Sequence, residues 1–297
     1  MPRTTRLDIA RQDIESLLDR RGPRAYSGRE IAQILEENRS YWRLAQRTSV
    51  DDFVEFLENR TRKLTPIAYV SQQGRRVVRY AWSSPSDTAV ALSLAGPTAY
   101  VSHASAIFLH GLSDLIPRMY YINEEQTPKP SSPNSLTQDA LDRAFASTQR
   151  VSHTVYESSE RPSVAILNGK YSGGLEVTKL AEAGNAPIRV ASIERTLIDT
   201  VVRPAYAGGI NNVLDAYRAA RDRVSVTRLR ATLEQLAFIY PYRQSIGFLL
   251  ERAGYPERRY EEFRVPTPEF DFYLVHGSTD NQYDSRWRLY YPRGLGG

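Results

Sequence analysis

The sequence predicts an α+β chain in two parts, an N-terminal winged helix-turn-helix domain followed by a larger mixed α/β C-terminal domain. Three observations carry that expectation. Helix-period segments between residues 7 and 57 lead directly into two β-rich segments, 64–71 and 76–82, separated by Gln72-Gln73-Gly74-Arg75. Beyond a polar, Pro-containing connector at 83–88 the pattern changes to short strands and helices in alternation. At 297 residues the chain also exceeds the usual single-domain size. The boundaries expected are therefore 1–82 and 89–297.

Taken in order, Leu7, Ala10, Ile14, Leu17 and Leu18 follow a helical period that Gly22 and Pro23 end. Ser27-Gly28-Arg29-Glu30 has the form of a capping box opening a second helix, with Ile31, Ile34 and Leu35 on one face. Residues 40–48 are ambiguous: Tyr41, Trp42 and Leu44 are packing residues, whereas Arg39, Arg43 and Arg47 share a face if the segment is helical. Ser49 caps a third helix whose core face is Val50, Phe53, Phe56 and Leu57. The hairpin follows, with Gly74 supplying a positive φ.

In the second part a helix is expected over 100–112, capped at Ser102 and closed by Gly111, and a strand over 118–123. Gln126 to Gln138 reads as a polar mobile loop. Strands are expected near 151–157, 163–168 and 174–180, with Asn168-Gly169 and Gly173-Gly174 as turns. Ile188 to Pro204 runs from a strand into an amphipathic helix, and further helices follow at 209–222, 225–238 and 242–253. Phe270–Val275 and Trp287–Tyr291 form a last hairpin.

Charge separates the two parts. Residues 1–82 hold 16 Arg and Lys against 11 Asp and Glu, while the remainder holds 23 of each, so the whole net charge of +5 sits in the first 82 residues. A basic module on a neutral body is the electrostatic footprint of a polyanion partner. Only 4 of the 39 basic residues are Lys, and the planar guanidinium suits bidentate phosphate and guanine contacts. Candidate DNA contacts are Arg39, Arg43, Arg47, Asn59, Arg60, Arg62, Lys63, Arg75, Arg76 and Arg79. One feature opposes simple groove insertion by the Ser49 helix: it carries Asp51, Asp52, Glu55 and Glu58.

Other chemistry is sparse. The absence of cysteine excludes disulfides, thiolate catalysis and Cys-based zinc sites. Glu194, Arg195 and Asp199 fall within two turns of one helix, where an enzyme would use them as an acid pair with a cation. The structural alternative, and the expectation, has Ser192 capping the helix, Glu194 in its first turn and Asp199 paired with Arg195 or Arg203. His103 and His110, seven apart, are too distant along a helix to share a metal and are expected as packed histidines. His276-Gly277-Ser278 reads as a polar hairpin turn rather than the start of a nucleotidyltransferase site. Glu176-Val177-Thr178-Lys179 has one residue too many for a nuclease Glu-x-Lys pair on a strand. There is no Gly-rich phosphate loop and no Gly-x-Ser-x-Gly elbow. No catalytic residues, metal or cofactor are expected. With no apolar run near the roughly 18 to 20 residues that span a bilayer and no secretory apolar region at the N-terminus, a cytoplasmic location is expected.

Tyr100-Val-Ser-His-Ala-Ser-Ala-Ile-Phe-Leu-His-Gly-Leu112 and Ile188-Arg-Val-Ala-Ser-Ile-Glu-Arg-Thr-Leu-Ile-Asp-Thr-Val-Val-Arg-Pro204 resemble the AbiEi family of antitoxins, and Gly208-Gly209 and Arg243–Gly254 fit the same pattern. The resemblance covers most of the chain. It implies a bacterial toxin–antitoxin or phage-defence pair whose toxin is a nucleotidyltransferase, with the winged helix repressing the operon at inverted repeats and the C-terminal domain needed for neutralisation. It further implies double-stranded operator DNA as the partner, two copies on an inverted repeat, and no stable complex with the toxin. The acidic face of the Ser49 helix and the long 39–48 connection depart from the family's pattern. The expected function is thus an antitoxin and repressor without catalysis. The alternative is a stand-alone winged-helix regulator whose C-terminal domain senses a ligand or partner, and a third reading is a divergent nuclease or nucleotidyl-transfer enzyme using Glu194, Asp199 or Asp271.

Overall fold

The computed structural model describes residues 5–128, 136–182, 184, 186–264 and 268–296. Most of the expected loop at 126–138 therefore lies outside the described residues.

The N-terminal helices are each set by a local cap. Helix α1 (Arg6–Arg20) opens at Thr5, whose hydroxyl accepts from the Asp8 amide while the Asp8 carboxylate accepts from the Thr5 amide. After strand β1 (Arg24–Ser27), helix α2 (Gly28–Asn38) opens with the expected Ser27/Glu30 box. Helix α3 (Val50–Phe56) repeats the device with Ser49 and Asp52. Each box satisfies amides that a first helical turn leaves without partners. The end of α3 widens into a π-helical turn, Leu57–Thr61, and Arg62 at φ 56° sends the chain into β2 (Leu64–Ser71) and β3 (Arg76–Trp82). Ile14, Leu18, Ile31, Leu35, Phe53, Leu57 and Trp82 are buried together as one core, and the Trp82 indole donates to Asp19 at 3.0 Å.

Residues 39–47 form turns, not a helix. Trp42 and Leu44 are both buried. Residues two apart cannot face the same way on a helix, so the chain abandons the helical path and Arg43 takes φ 51°. The shared face expected of Arg39, Arg43 and Arg47 does not form.

The chain continues as α4 (Asp87–Ser93), β4 (Tyr100–Val101), α5 (His103–Leu109), β5 (Met119–Glu125), α6 (Gln138–Ala146), β6 (Val155–Glu157), β7 (Ser163–Gly169), β8 (Val177–Leu180) and β9 (Ile188–Ala191). It then becomes mainly helical, with α7 (Ile193–Val202), α8 (Ile210–Ala219), α9 (Val226–Leu236), α10 (Tyr242–Arg252) and α11 (Glu257–Tyr260). The short strands β10 (Phe272–Tyr273), β11 (Asn281–Asp284) and β12 (Leu289–Pro292) close it. The architecture is mixed α/β, with a helical N-terminus followed by sheet. Among the described residues no helix is long and apolar enough to cross a membrane.

The chain divides into two compact units, the first comprising Met1–Ala99, His153–Ile166 and Lys179–Ile188, the second the remainder. This differs from the boundaries expected at 82 and 89 because of strand pairing. In the first unit β1 and β2 both lie antiparallel to β3 (Tyr26↔Tyr80, Ile67↔Arg79), and β6 adds to the other edge of β2 (Val70↔Glu157, Ser71↔Tyr156). The beginning of β7 pairs in turn with β6 (Tyr156↔Val164).

In the second unit β4 is antiparallel to β5 and parallel to β9. Two expected turns of the chain differ. Asn168-Gly169 lies in β7 and makes no turn; the expected last hairpin is formed by β11 and β12, while β10 runs parallel to β12. Helix α7, expected to be amphipathic, is buried from Glu194 to Val201. Leu197 and Ile198 pack with Tyr217, Leu229, Ile246, Phe248 and Leu249 in the core of this unit.

Candidate nucleic-acid interface

The basic surface is organised around the β2–β3 turn. The Ser71 amide donates to the Arg75 carbonyl at 2.9 Å, the Gly74 amide to the Ser71 carbonyl at 2.8 Å, and the Arg75 amide to the Ser71 hydroxyl at 3.2 Å. Gly74 sits at φ 79° with open space around it, a conformation that costs glycine little and other residues more. The turn is braced on the β2 side too, since the Gln72 amide donates to the Val155 carbonyl at 3.3 Å. Arg75 and Arg76 thus project from a fixed backbone; both are exposed, and neither is in an ion pair among the described residues.

The other predicted contacts divide into free and occupied side chains. Arg39 is only 7% exposed. Its guanidinium pairs with Glu36 and donates to the Ala45 carbonyl at 2.8 Å and the Thr48 carbonyl at 3.1 Å, tying down the 39–48 turns. Arg79 is half-buried and donates to the Ser93 carbonyl at 2.9 Å; burial lowers its pKa. Lys63 bridges Asp19 at 2.8 Å and Glu15 at 3.4 Å. The Lys63 hydrogen bond holds the Asp19 carboxyl below its ordinary range, and the same bond raises the lysine. Arg60 reaches Asp8 only at 4.0 Å. Arg43, Arg47, Asn59 and Arg62 are exposed, and no ion pair among the described residues holds these arginines.

A cleft of about 570 Å³ lies between the start of α1 and α3, and it brings Arg47, Asn59 and Arg60 together with Asp8, Asp52 and Glu55. Asp8 and Asp52 are held below the ordinary carboxylate range by hydrogen bonds from the Thr5 and Ser49 amides they cap. Their negative charge is thus committed to helix starts. Asp51, Glu55 and Glu58 remain exposed on the same helix and turn.

Two residues of this region escaped sequence reasoning. Arg6 donates to the Arg43 carbonyl at 2.9 Å and lines the cleft. His153 is exposed and stands two residues before Val155, whose carbonyl accepts from the Gln72 amide at the hairpin turn. Local sequence patterns carry no signal for either.

The residues considered for catalysis all have partners within the fold. Ser192 caps α7 by accepting from the Arg195 amide, and Arg195 pairs with Asp199 at 2.8 Å in the interior. Glu194 accepts from the Ser225 amide at 2.9 Å, at the start of α9. Glu176 pairs with Arg228, and Asp271 with Arg288 at 2.7 Å. His103 is buried among aromatic rings, His110 Nε2 lies 2.7 Å from the Ala191 carbonyl, and His276 stacks on Phe145 with ring centres 3.9 Å apart.

No family model and no curated protein sequence matches the chain. Among solved structures it is similar to the RV2827C protein from Mycobacterium tuberculosis, with a TM-score of 0.55 and 16% identity over 95% of this chain and 90% of that one. At that identity the likeness is one of fold.

Proposed function

We propose that the chain is an AbiEi-like antitoxin that binds its operator DNA through a winged helix-turn-helix and represses its own operon while counteracting a nucleotidyltransferase toxin. The observation that carries the DNA-binding part is the element order helix, strand, helix, helix, hairpin, with β1 and β2 both paired to β3 and two exposed arginines at the hairpin turn that no ion pair among the described residues holds. That is the order of a winged helix, and the turn is the tip of its wing. The basic surplus of residues 1–82 supports the same reading.

In this reading the wing residues Arg75 and Arg76 meet phosphates, while Asn59, Arg60 and Arg62 approach from the end of α3 and Arg43 and Arg47 from the preceding turns. The acidic start of α3 shares the cleft with Arg47, Asn59 and Arg60, so its carboxylates weaken groove insertion by that helix and leave the wing as the main phosphate contact. Arg39 and Arg79, engaged within the fold, contribute by holding it. In this reading the chain acts by binding, and Glu194, Asp199 and Asp271 hold the Ser225 amide, Arg195 and Arg288. A palindromic operator takes two copies.

The test is a gel shift on the DNA upstream of the protein's own reading frame, comparing wild type with Arg75→Ala/Arg76→Ala across a salt series. The double variant should bind more weakly at every sequence, and the slope of log affinity against log salt should shrink by about 0.9 for each phosphate that the variant no longer neutralises. Unchanged affinity and slope would remove the wing from the interface. The antitoxin part is tested by co-expression with a nucleotidyltransferase encoded beside it; growth should be restored by the full chain.

A further inference from the structure

Independently of its DNA reading, the second unit contains a polar cavity beside the C-terminal half of α7. Its volume is about 110 Å³, and Lys170, Arg195, Arg203, Asp199, His103 and Asn123 line it. Asn168 and Lys170 are exposed, so the cavity opens where they stand.

The walls are hydrogen-bonded to one another and to the surrounding fold. Arg195 and Asp199 are 3% and 8% exposed. Besides Asp199, Arg195 donates to the Tyr100 hydroxyl at 2.9 Å, the Leu175 carbonyl at 2.9 Å and the Ser172 hydroxyl at 3.1 Å. Asn123 donates to that same tyrosine hydroxyl at 2.8 Å. It also closes against Gly169: a Cβ there would come within 2.4 Å of the Asn123 carbonyl oxygen, so glycine is what lets the amide sit at the cavity wall. His103 is buried at φ 51°, a backbone conformation unfavourable for a non-glycine residue. Ser102 Oγ lies 2.9 Å from its Nδ1, and the Tyr206 ring meets it edge-on at 5.3 Å.

Such a site is not explained by stability. A buried ion pair is generally no better than well-packed apolar residues of the same volume, and strain at His103 adds a further penalty. Strained, buried polar constellations cluster at binding and active sites, although structural ion-pair networks form them too.

The charge decides what. Three lining cations face one lining carboxylate, with Glu125 behind Ser172 as a second carboxylate near Arg195, and burial pushes the His103 pKa down to about 3, leaving the imidazole neutral and the balance positive by one charge. A metal ion or an amine would meet a net positive wall. Two of the cations retain bonding capacity. Lys170 donates to the Leu236 and Ala237 carbonyls at 2.6 and 2.7 Å, two of its three N–H groups. Arg203 lies over the Tyr206 ring at 5.7 Å and is in no ion pair among the described residues. The space exceeds what one ordered water needs by several-fold and admits a tetrahedral group.

We propose that this cavity binds a small oxyanion, specifically a phosphate group, through Arg203 and Lys170 with Arg195 behind them. The phosphate is either free or carried by a nucleotide whose remainder leaves through the opening at Asn168.

Isothermal titration of the full-length protein with inorganic phosphate, and separately with a nucleoside triphosphate, tests this at constant ionic strength set by chloride. Wild type should bind saturably. Arg203→Gln should weaken binding about tenfold or more, the loss expected of one charge-assisted contact, with Arg203→Lys intermediate and thermal unfolding of both variants close to wild type. Arg75→Ala/Arg76→Ala should bind as wild type does, which separates this site from phosphate attracted to the wing. Tighter binding of the triphosphate identifies a nucleotide ligand, and equal binding identifies free phosphate. Absence of saturable wild-type binding at millimolar ligand, binding indifferent to Arg203→Gln, or weakening only in the Arg75/Arg76 variant would each overturn the proposal.

Discussion

The hairpin turn at residues 72–76 and the pocket around Arg195 both present arginine, and they put it to opposite uses. At the turn the backbone closes its own hydrogen bonds through Ser71, Gly74 and Arg75, which leaves both guanidinium groups in water. In the pocket the Arg195 guanidinium is buried and shared among Asp199, Tyr100, Ser172 and Leu175. A solvated arginine can exchange water for a phosphate at little loss, whereas a buried one already bonded on all sides can only position what surrounds it. The difference teaches that an arginine's spare hydrogen-bonding capacity, more than its charge, marks it as a contact residue.

The largest effect that would break this comparison is on stability. Asp199→Ala leaves Arg195 as an uncompensated buried charge and should destabilise the protein by about 3–5 kcal/mol, read as a lower urea midpoint. Replacing both partners with apolar residues, Arg195→Met/Asp199→Leu, should recover much of that loss, because the penalty comes from the orphaned charge. Arg75→Ala should shift the midpoint by no more than about 0.5 kcal/mol, as is usual for an exposed side chain. A small loss in Asp199→Ala would mean that the Arg195 charge is solvated and the contrast unfounded.

Next in size is the pH response of the same pocket. The folded-state pKa of His103 is depressed from 6.5 to about 3 by burial, with the Arg203 and Arg195 charges acting in the same direction. Below pH 6.5 the unfolded chain therefore takes up a proton that the folded chain refuses. Stability must fall as pH drops through that window, approaching about 1.4 kcal/mol per pH unit from this residue. His110 and His276 are shifted the same way by burial. Asp199, which burial raises, works in the opposite sense at the acid end, so the slope is best read between pH 6.5 and 5. His103→Asn, a residue that tolerates a positive φ, should flatten the slope even though it gives up the aromatic packing. An unchanged slope would show that His103 is not held neutral.

Much of the local structure was legible. The Ser27/Glu30 box, the Gly74 turn and the Ser192 cap with its Asp199–Arg195 pair are decided within four residues of chain, where spacing and side-chain chemistry act directly. What sequence could not show depends on partners distant in the chain. Strand β6 returns to pair against β2 and brings the start of β7 with it, so the first unit is not contiguous. Gly169 looks like a turn residue beside Asn168, but it is glycine because Asn123 packs against it. The cavity is assembled from five separate stretches, and no one of them carries a recognisable motif. The candidate DNA surface was half-readable: arginine spacing proposes it, but not which arginines the fold consumes.

Arg39 and Arg47 sharpen that last point with the smallest expected effects. They are eight residues apart in one basic repeat, yet Arg39 is buried and bonded to Glu36, Ala45 and Thr48, whereas Arg47 is exposed at the cleft beside Asn59 and Arg60. Arg39→Ala should loosen the 39–48 turns, seen as a lower melting temperature and faster amide exchange at residues 43–49. On the proposed DNA reading its affinity should fall without a change in salt slope, because every side chain proposed to meet phosphate is still present. Arg47→Ala should do the reverse, keeping the melting temperature while the slope shrinks by about 0.9. A salt slope that shrinks in Arg39→Ala and holds in Arg47→Ala would mean that burial and bonding do not sort the arginines of this surface, and the distinction between structural and contacting arginines would have to be drawn elsewhere.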